Sequence, residues 1–335
     1  MPEDYFKLTD KDARDLLGAA ALQVKRPDFL IEKDIWVVWS LNAIFSSSFS
    51  DSLVFKGGTS LSKAFHAINR FSEDLDITYN IRKLLNLEDD ESDTPASRSA
   101  SDKLRRRSDE ALASWVEGQC MPHLQARLDE FGIGGGLIYE GGSDLRIVYP
   151  SRSQESGYVK PEVLLEFGGR STAEPHNHHT ISCDIAEHFK DISFPVAKAS
   201  VMDAERTFWE KATAIYAFVV RDRLDAARQS RHWYDLMMLD DSGIANAAIQ
   251  DDWLANQVAM HKSVFFRSAG VDYNAAINGA MRLVPEGEAL KDLKSDYDKM
   301  ISGGMIFGTP PEFDEVIQRC ESISNRINRR GQPEP

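Results

Sequence analysis

The sequence predicts an α+β protein, with a mixed sheet and flanking helices over residues 1–197 and a mainly helical domain over residues 198–335. Two observations favour this class. Before about residue 195, short apolar runs with strand periodicity alternate with longer segments whose apolar residues recur at helical spacing. After Ser200 the helical spacing dominates, and Pro195 marks a soft boundary between the two patterns.

The first domain is expected to begin with two helices, over residues 10–24 and 30–45, because their apolar residues recur every three or four positions. Leu53–Phe55 is a short apolar run that ends at two glycines, which predicts a strand entering a tight turn. Helical spacing returns over residues 59–69. The alternating run Leu75–Tyr79 then predicts a second strand.

Residues 88–102 are rich in acidic residues and serine, which predicts a flexible excursion. A long helix is expected to follow and to run to about Phe131, with a basic patch at its start that comprises Lys103, Arg105, Arg106 and Arg107. Three β-like segments separated by glycine-bearing turns predict an antiparallel meander. They are residues 137–140, 144–149 and 162–167.

Three histidines crowd one short stretch after the meander, His176, His178 and His179. Their spacing is irregular, so an exposed loop is favoured over a metal site. In the second domain the apolar periodicity predicts a series of helices. These cover residues 208–220, 222–240, 244–261, 272–283 and 312–329.

The charge balance limits how nucleic acid could be bound. The chain has 39 lysines and arginines against 53 aspartates and glutamates, for a formal net charge of −14. Broad nonspecific binding to nucleic acid or to an anionic membrane is therefore disfavoured. Any RNA contact is expected at local patches such as Lys103–Arg107, for which a solvated helix face is an equally open interpretation.

The number and spacing of the cysteines indicate a protein of a reducing compartment. The chain has three, far apart and without a CxxC pair, which argues against a disulfide framework and against a cysteine zinc site. The acidic start Met1–Asp4 lacks the apolar run of a signal peptide, and no stretch of about 18 apolar residues predicts a membrane span. A cytoplasmic protein is expected.

The turn at Gly57 and Gly58 is a candidate phosphate cradle. Paired glycines between a strand and a helix allow backbone N–H groups to approach an anion closely, and the helix N-terminus adds a favourable dipole. Thr59 and Ser60 could donate hydroxyl hydrogen bonds to the same anion. The alternative interpretation is an ordinary tight turn.

Carboxylates follow this turn. Asp74 and Asp76 are two residues apart, so in a strand both side chains would point to the same face and could bind Mg²⁺ or Mn²⁺. Glu166, an acid inside an apolar strand, is the candidate third ligand. The alternative for the aspartates is a solvated acidic strand end. Glu73 should point the other way and be solvated or paired with Arg70.

The second domain contributes one lysine and one aspartate of interest. On a helix, Lys211 shares a face with Phe208 and Ile215, so it either extends its ammonium to solvent or contacts an anion. Asp235 is flanked by apolar and aromatic residues, which indicates partial burial. A structural ion pair between Lys211 and Asp235 is one interpretation; contact with NTP phosphates is the other.

Together these segments resemble a known family. The runs KGGTSLSK at 56–63 and RFSEDLDI at 70–77, followed by RTFWEK at 206–211 and RHWYDL at 231–236, resemble the AbiEii/AbiGii nucleotidyltransferase-like toxins of type IV toxin–antitoxin systems, which include the MenT-type toxins. The resemblance spans roughly residues 30–240. It implies a polymerase β-like nucleotidyltransferase fold, in which two metals bind three carboxylates and align a hydroxyl on the α-phosphate of an NTP.

What the resemblance implies is a metal-dependent toxin that moves an NMP from an NTP onto RNA, with the tRNA 3′ acceptor end as the leading candidate, and thereby blocks translation. An antitoxin partner, expected to be a winged-helix protein, is also implied. Protein nucleotidylation and a non-catalytic NTP- or RNA-binding role remain as alternatives. The implied catalytic residues are Asp74, Asp76, Lys211 and Asp235. The implied NTP contacts are Gly57, Gly58, Thr59, Ser60, Lys63, Ser72 and Lys211.

Overall fold

A computed structural model describes residues 3–153, 160–221 and 229–330. The chain divides into two compact units, and from Met202 onward it belongs to the second unit. The first unit comprises Met1–Ala64, Glu73–Glu91 and Arg106–Val201. The second unit comprises Phe65–Ser72, Ser92–Arg105 and Met202–Pro335.

The first unit contains a mixed sheet of seven strands in the order β3-β4-β5-β2-β1-β7-β6. Strands β3, β4 and β5 form an antiparallel meander, as predicted, whereas β2 runs parallel to β5 and antiparallel to β1. β1 also pairs in parallel with β7. The bounds are β1 Leu53–Lys56, β2 Leu75–Asn80, β3 Gly136–Tyr139, β4 Asp144–Val148, β5 Glu162–Ser171, β6 His176–Ser182 and β7 Val196–Met202.

One face of this sheet is apolar. Phe55, Ile77 and Phe167 lie opposite one another on β1, β2 and β5, and all three are buried. Because side chains alternate along a strand, the residues between them point to the other face, and several of these are charged. The candidate site is built on that second face.

Seven α-helices precede β3 along the described part of the chain. Thr9 caps α2 by accepting a hydrogen bond from the backbone N–H of Asp12, and α3 is apolar and buried around nearly its whole circumference. A π-helical turn at Val116–Cys120 joins α6 to α7. The bounds are α1 Asp4–Lys7, α2 Asp10–Val24, α3 Asp28–Phe45, α4 Gly57–Lys63, α5 Ile81–Leu85, α6 Arg98–Trp115 and α7 Met121–Phe131.

The second unit is helical. The short segment Phe65–Ser72 belongs to it because Phe71 donates its backbone N–H to Met305 over 2.7 Å and Phe307 donates to Asn69 over 2.9 Å. The bounds of its helices are α8 Ala204–Arg221, α9 Ser230–Asp241, α10 Ile244–Gln250, α11 Asp252–Phe265, α12 Tyr273–Ala275, α13 Gly287–Ser302 and α14 Phe313–Asn328.

The α+β class, the mixed sheet with flanking helices and the helical C-terminal region are as the sequence predicts, but two local predictions are wrong. The helix predicted over residues 59–69 ends at Lys63, since the backbone at Asn69 and Phe71 is bound to the 305–307 segment instead. The predicted histidine loop is strand β6. Residues 222–228 of one predicted helix lie outside the described residues.

Within the described ranges, no helix is both long and apolar enough to cross a membrane. All three cysteines, Cys120, Cys183 and Cys320, are buried free thiols.

Candidate active site

Three neighbouring strands place charged residues in one row across the second face of the sheet. Lys56 at the end of β1 lies opposite Asp76 on β2, and Asp76 lies opposite Glu166 on β5. Residues opposite one another in adjacent strands point to the same face, so the three side chains are neighbours. Strand register therefore places Asp76 beside Glu166, two of the three residues that the sequence predicts as metal ligands.

Asp74 lies just before β2, which begins at Leu75. The alternation nevertheless holds, because Leu75 and Ile77 are buried whereas Asp74 and Asp76 are half-buried. The hydroxyl of Thr59 donates a hydrogen bond of 2.6 Å to the backbone carbonyl of Asp74. Helix α4 thereby holds the segment that carries the first aspartate.

Gly57 permits the close approach of Asp76. Its backbone has φ = +82°, a conformation that L side chains rarely adopt, and a Cβ at this position would lie 2.0 Å from Asp76 Oδ2. The Asp76 carboxylate thus lies directly over the first glycine of the predicted phosphate turn. Any residue other than glycine at position 57 would therefore collide with the Asp76 carboxylate.

The donor set fits a hard divalent cation. Asp74, Asp76 and Glu166 offer carboxylate oxygens, which Mg²⁺ and Mn²⁺ prefer, and all three are half-buried on the same side of the sheet. In the portion of the chain that the structure describes, no three acidic, histidine or cysteine side chains converge closely enough to hold an ion. Binding a metal therefore requires these carboxylates to move together.

The hydroxyls of the turn do not point to an anion as the sequence predicts. Thr59 and Ser60 are fully buried, and their hydroxyls donate to the backbone carbonyls of Asp74 and Gly57, respectively. In a seven-residue helix that begins directly at a glycine turn, these hydroxyls stabilise the turn itself. Any contact from Gly57–Ser60 to a phosphate would therefore come from backbone N–H groups.

Lys63 also differs from its prediction as an NTP contact. Its ammonium lies 2.5 Å from Asp34 Oδ1 and 2.6 Å from Asp184 Oδ1, and the residue is only 8% exposed. Burial alone would lower the pKa of Lys63, but the two carboxylates raise it well above its ordinary value. A lysine held in this way anchors the C-terminus of α4 between α3 and the segment after β6.

Glu73, the acidic residue directly before Asp74, has a partner that the sequence did not predict. It forms a salt bridge with the buried Lys33 of α3. This pairing ties the residue immediately before Asp74 to a helix of the core. Ser72, predicted to contact the NTP, is half-buried at the adjoining position.

A second charged cluster lies within the second unit. Arg70 donates to both oxygens of Asp235, from Nε to Oδ1 over 2.7 Å and from Nη2 to Oδ2 over 2.8 Å. Lys211 Nζ lies 2.8 Å from the same Oδ2. All three residues are buried. The structural Lys211–Asp235 ion pair, one of the two interpretations of these residues, is therefore present, and Arg70 is its third member.

Arg70, Lys211 and Asp235 form a triad of buried charges, and the two cations determine the protonation of Asp235. Burial alone would raise the pKa of Asp235, but Arg70 and then Lys211 hold it well below its ordinary value. A carboxylate with a low pKa and both oxygens bound is a poor proton acceptor. These contacts hold Asp235 in a fixed orientation, and its predicted catalytic role stays a prediction. Two cations share its single charge, so the triad keeps one net positive charge.

His232, on the same helix as Asp235, carries a buried Nδ1 with no hydrogen-bond partner among the described residues. Burial, followed by the nearby charges of Lys211 and Arg231, lowers the pKa of His232 well below its ordinary value. The imidazole is therefore neutral at physiological pH and adds no charge to the cluster.

The four basic residues predicted to contact RNA are exposed on α6. Arg105 lies 3.8 Å from Asp102 on the same helix, a solvent-exposed pair that contributes little to stability. Lys103, Arg106 and Arg107 project from neighbouring positions. The side chains are accessible, as an RNA-contacting patch and a solvated helix face both require.

Sequence reasoning missed several residues of the two clusters. Lys56 could have been found, because pairing of the two predicted strands places it beside the aspartates. Arg70 could not be assigned to Asp235, since its partner is 165 residues away along the chain. Asp34 and Asp184 could not be assigned to Lys63 for the same reason, because both are far from it along the chain.

The chain is similar to known proteins in sequence and in structure. The family model described as nucleotidyl transferase AbiEii toxin, type IV TA system, matches residues 39–319. Among solved structures, the nucleotidyltransferase toxin MenT4 from Mycobacterium tuberculosis H37Rv is similar, with 19% sequence identity and a TM-score of 0.47 over 96% of this chain and 89% of that chain. No curated protein matches at a significant level.

Proposed function

The chain belongs to the AbiEii family of nucleotidyltransferase toxins of type IV toxin–antitoxin systems, and from this premise we propose that it transfers an NMP from an NTP onto RNA in a metal-dependent reaction. The acceptor we propose is the 3′ end of tRNA, whose modification would block translation. The observation that carries the proposal is that Asp76 lies opposite Glu166 in the sheet and also approaches Gly57 closely.

The reaction needs little covalent chemistry from the protein. An acceptor hydroxyl attacks the α-phosphorus, and the bond to the β-phosphate oxygen breaks to release pyrophosphate. We propose that Asp74, Asp76 and Glu166 hold Mg²⁺ or Mn²⁺, which would supply charge neutralisation and alignment of the reacting oxygens. The backbone N–H groups of Gly57 and Gly58 would bind phosphate oxygens.

Lys211 and Asp235 have distinct proposed roles. The net positive charge of the triad supports a role for Lys211 in neutralising NTP phosphates, as the resemblance implies. Asp235 would orient Lys211 without touching the substrate. Arg70 shares this orienting role, because it holds both oxygens of Asp235. This assignment separates a substrate-contacting lysine from the two residues that fix it.

The RNA acceptor is supported by the exposed basic patch on α6. The net charge of −14 disfavours a large RNA-binding surface, so a compact contact through Lys103, Arg105, Arg106 and Arg107 is the form we propose. The reducing conditions implied by three free thiols support action in the cytoplasm. A cognate winged-helix antitoxin is proposed from the family alone.

Labelling separates RNA from protein as the acceptor. Purified protein is incubated with total RNA and cell extract and with each NTP labelled at the α-phosphate, and samples are then treated with RNase or protease. We expect the label to be RNase-sensitive and to map to tRNA 3′ ends on sequencing. Protease-sensitive label would establish protein nucleotidylation instead, and NTP binding without any incorporation would indicate a non-catalytic protein.

A further inference from the structure

Lys56 is a charged member of the row on the sheet, directly opposite Asp76, and the proposed reaction assigns it no role. It is the last residue of β1 and the residue directly before Gly57, and its Nζ lies 4.0 Å from Asp76 Oδ1. The other carboxylate oxygen, Oδ2, is the one closest to Gly57. Asp76 is therefore flanked by an ammonium on one side and by the glycine turn on the other.

The Lys56 pair differs from two more deeply buried lysine salt bridges of this unit. The side chains of Lys33 and Lys63 are 5% and 7% exposed, and their partners Glu73 and Asp34 are 14% and 12% exposed. Lys56 and Asp76 are 25% and 33% exposed, and 4.0 Å is the outer limit of a salt bridge. A lysine side chain is long and flexible, so a partly exposed ammonium can change its position by several ångströms.

We propose that Lys56 exchanges its anionic partner during the catalytic cycle: its ammonium neutralises Asp76 before a divalent cation binds, and it contacts the NTP triphosphate afterwards. This inference rests on the proposed function. A dication at Asp76 repels the ammonium at a separation of a few ångströms. Because Lys56 is directly joined to Gly57, the displaced ammonium stays beside the turn at which phosphates are proposed to bind.

Removal of the Lys56 charge should raise the affinity for the free metal ion and lower the affinity for the metal–triphosphate complex. The Lys56→Met variant keeps most of the aliphatic stem and loses the ammonium that competes with the metal. Its affinity for Mn²⁺ should rise by about three- to ten-fold, since a partly exposed charge is partly screened. Its affinity for Mn²⁺–tripolyphosphate should fall by about ten-fold, because a charge-assisted contact is lost.

Both affinities can be measured without turnover. Free Mn²⁺ is followed by electron paramagnetic resonance, and Mn²⁺–tripolyphosphate binding by calorimetry, a probe that does not depend on the base. Lys11→Met removes an equal charge from an exposed position on α2 and should change neither affinity. Lys56→Arg keeps the charge and should bind tripolyphosphate within about two-fold of the parent protein.

The outcomes are distinguishable. Mn²⁺ binding to Lys56→Met that is equal to or weaker than that of the parent protein would overturn the proposal, and so would unchanged tripolyphosphate binding. If Lys56→Met does not fold, Lys56→Gln provides the same comparison. The Asp76→Asn variant checks the premise separately: if it binds Mn²⁺ as well as the parent protein does, the proposed metal site is refuted and the role of Lys56 with it.

Discussion

Arg70 and Asp235 form a buried bidentate salt bridge, with donor–acceptor distances of 2.7 and 2.8 Å between residues 165 positions apart. Both ends of the carboxylate are occupied by one guanidinium, which fixes its orientation in the way that bidentate pairs do. Lys211 adds a third contact to the same carboxylate. The pair attaches the short segment before the first aspartate motif to helix α9 of the same unit.

Removal of the Asp235 carboxylate should be strongly destabilising. The Asp235→Ala variant removes the carboxylate that the buried Arg70 and Lys211 share, and we expect a loss of about 3–5 kcal/mol in the free energy of unfolding. Urea titration measures this loss. Asp298→Ala removes the exposed partner of Lys294 and should cost at most about 1 kcal/mol. Equal losses in the two variants would contradict a structural role for the triad.

The stabilising effect of the triad should depend on pH in a defined direction. The pKa of Asp235 is lower in the folded protein than its ordinary value of 3.8. The stabilisation is therefore complete above this value and is lost as the pH falls below it toward the folded pKa. The stability difference between the parent protein and Asp235→Asn should be constant from pH 7 to 5 and should shrink below pH 4, as measured by urea unfolding at each pH. A difference that grows on acidification would contradict this assignment.

Gly57→Ala should disrupt the active site. The added methyl group would lie 2.0 Å from Asp76 Oδ2, and the positive φ adds backbone strain. We expect at least about a hundred-fold loss of nucleotidyl transfer, because displacement of a catalytic group by about 1 Å has an effect of that size. The matched control is Gly18→Ala on α2, where no atom lies within 4 Å of the new methyl group, and it should be fully active.

Lys63 should contribute to stability and not to NTP binding. The Lys63→Met variant leaves Asp34 and Asp184 without their shared cation, so we expect about 3–5 kcal/mol of destabilisation. A second substitution, Asp34→Asn, should recover part of that loss, which a double-mutant cycle measures. If Lys63 instead contacts phosphate, the single variant will lose tripolyphosphate affinity while its unfolding free energy stays unchanged.

Local patterns in the sequence were sufficient to predict much of the first unit. The short apolar run at Leu53 followed by two glycines predicts β1 and its turn, and the alternation at Leu75 predicts β2, because both signals are contained within a few residues. The face shared by Asp74 and Asp76 follows from the same alternation. The alignment with Glu166 depends on strand order, which the family resemblance supplied and the strand register supports.

The unpredicted features depend on distant residues or weak periodicity. β6 was assigned to a loop because its residues are largely polar and its histidines are partly exposed. Helix α13 was missed, since Leu293 and Tyr297 are the two residues described as buried along its length. The ends of α4 and the partners of Lys63 and Arg70 depend on contacts formed only in the folded chain.

The central claim is tested most directly by comparing Asp76→Asn with the parent protein for transfer of α-labelled NMP to RNA in the presence of Mg²⁺. Substitution of the carboxylate by an isosteric amide keeps the shape over Gly57 and removes the charge that is proposed to hold the metal. We predict a loss of transfer of at least about a thousand-fold with an unchanged melting temperature, since three carboxylates share one function. Transfer by Asp76→Asn at the rate of the parent protein would contradict the assignment of this site.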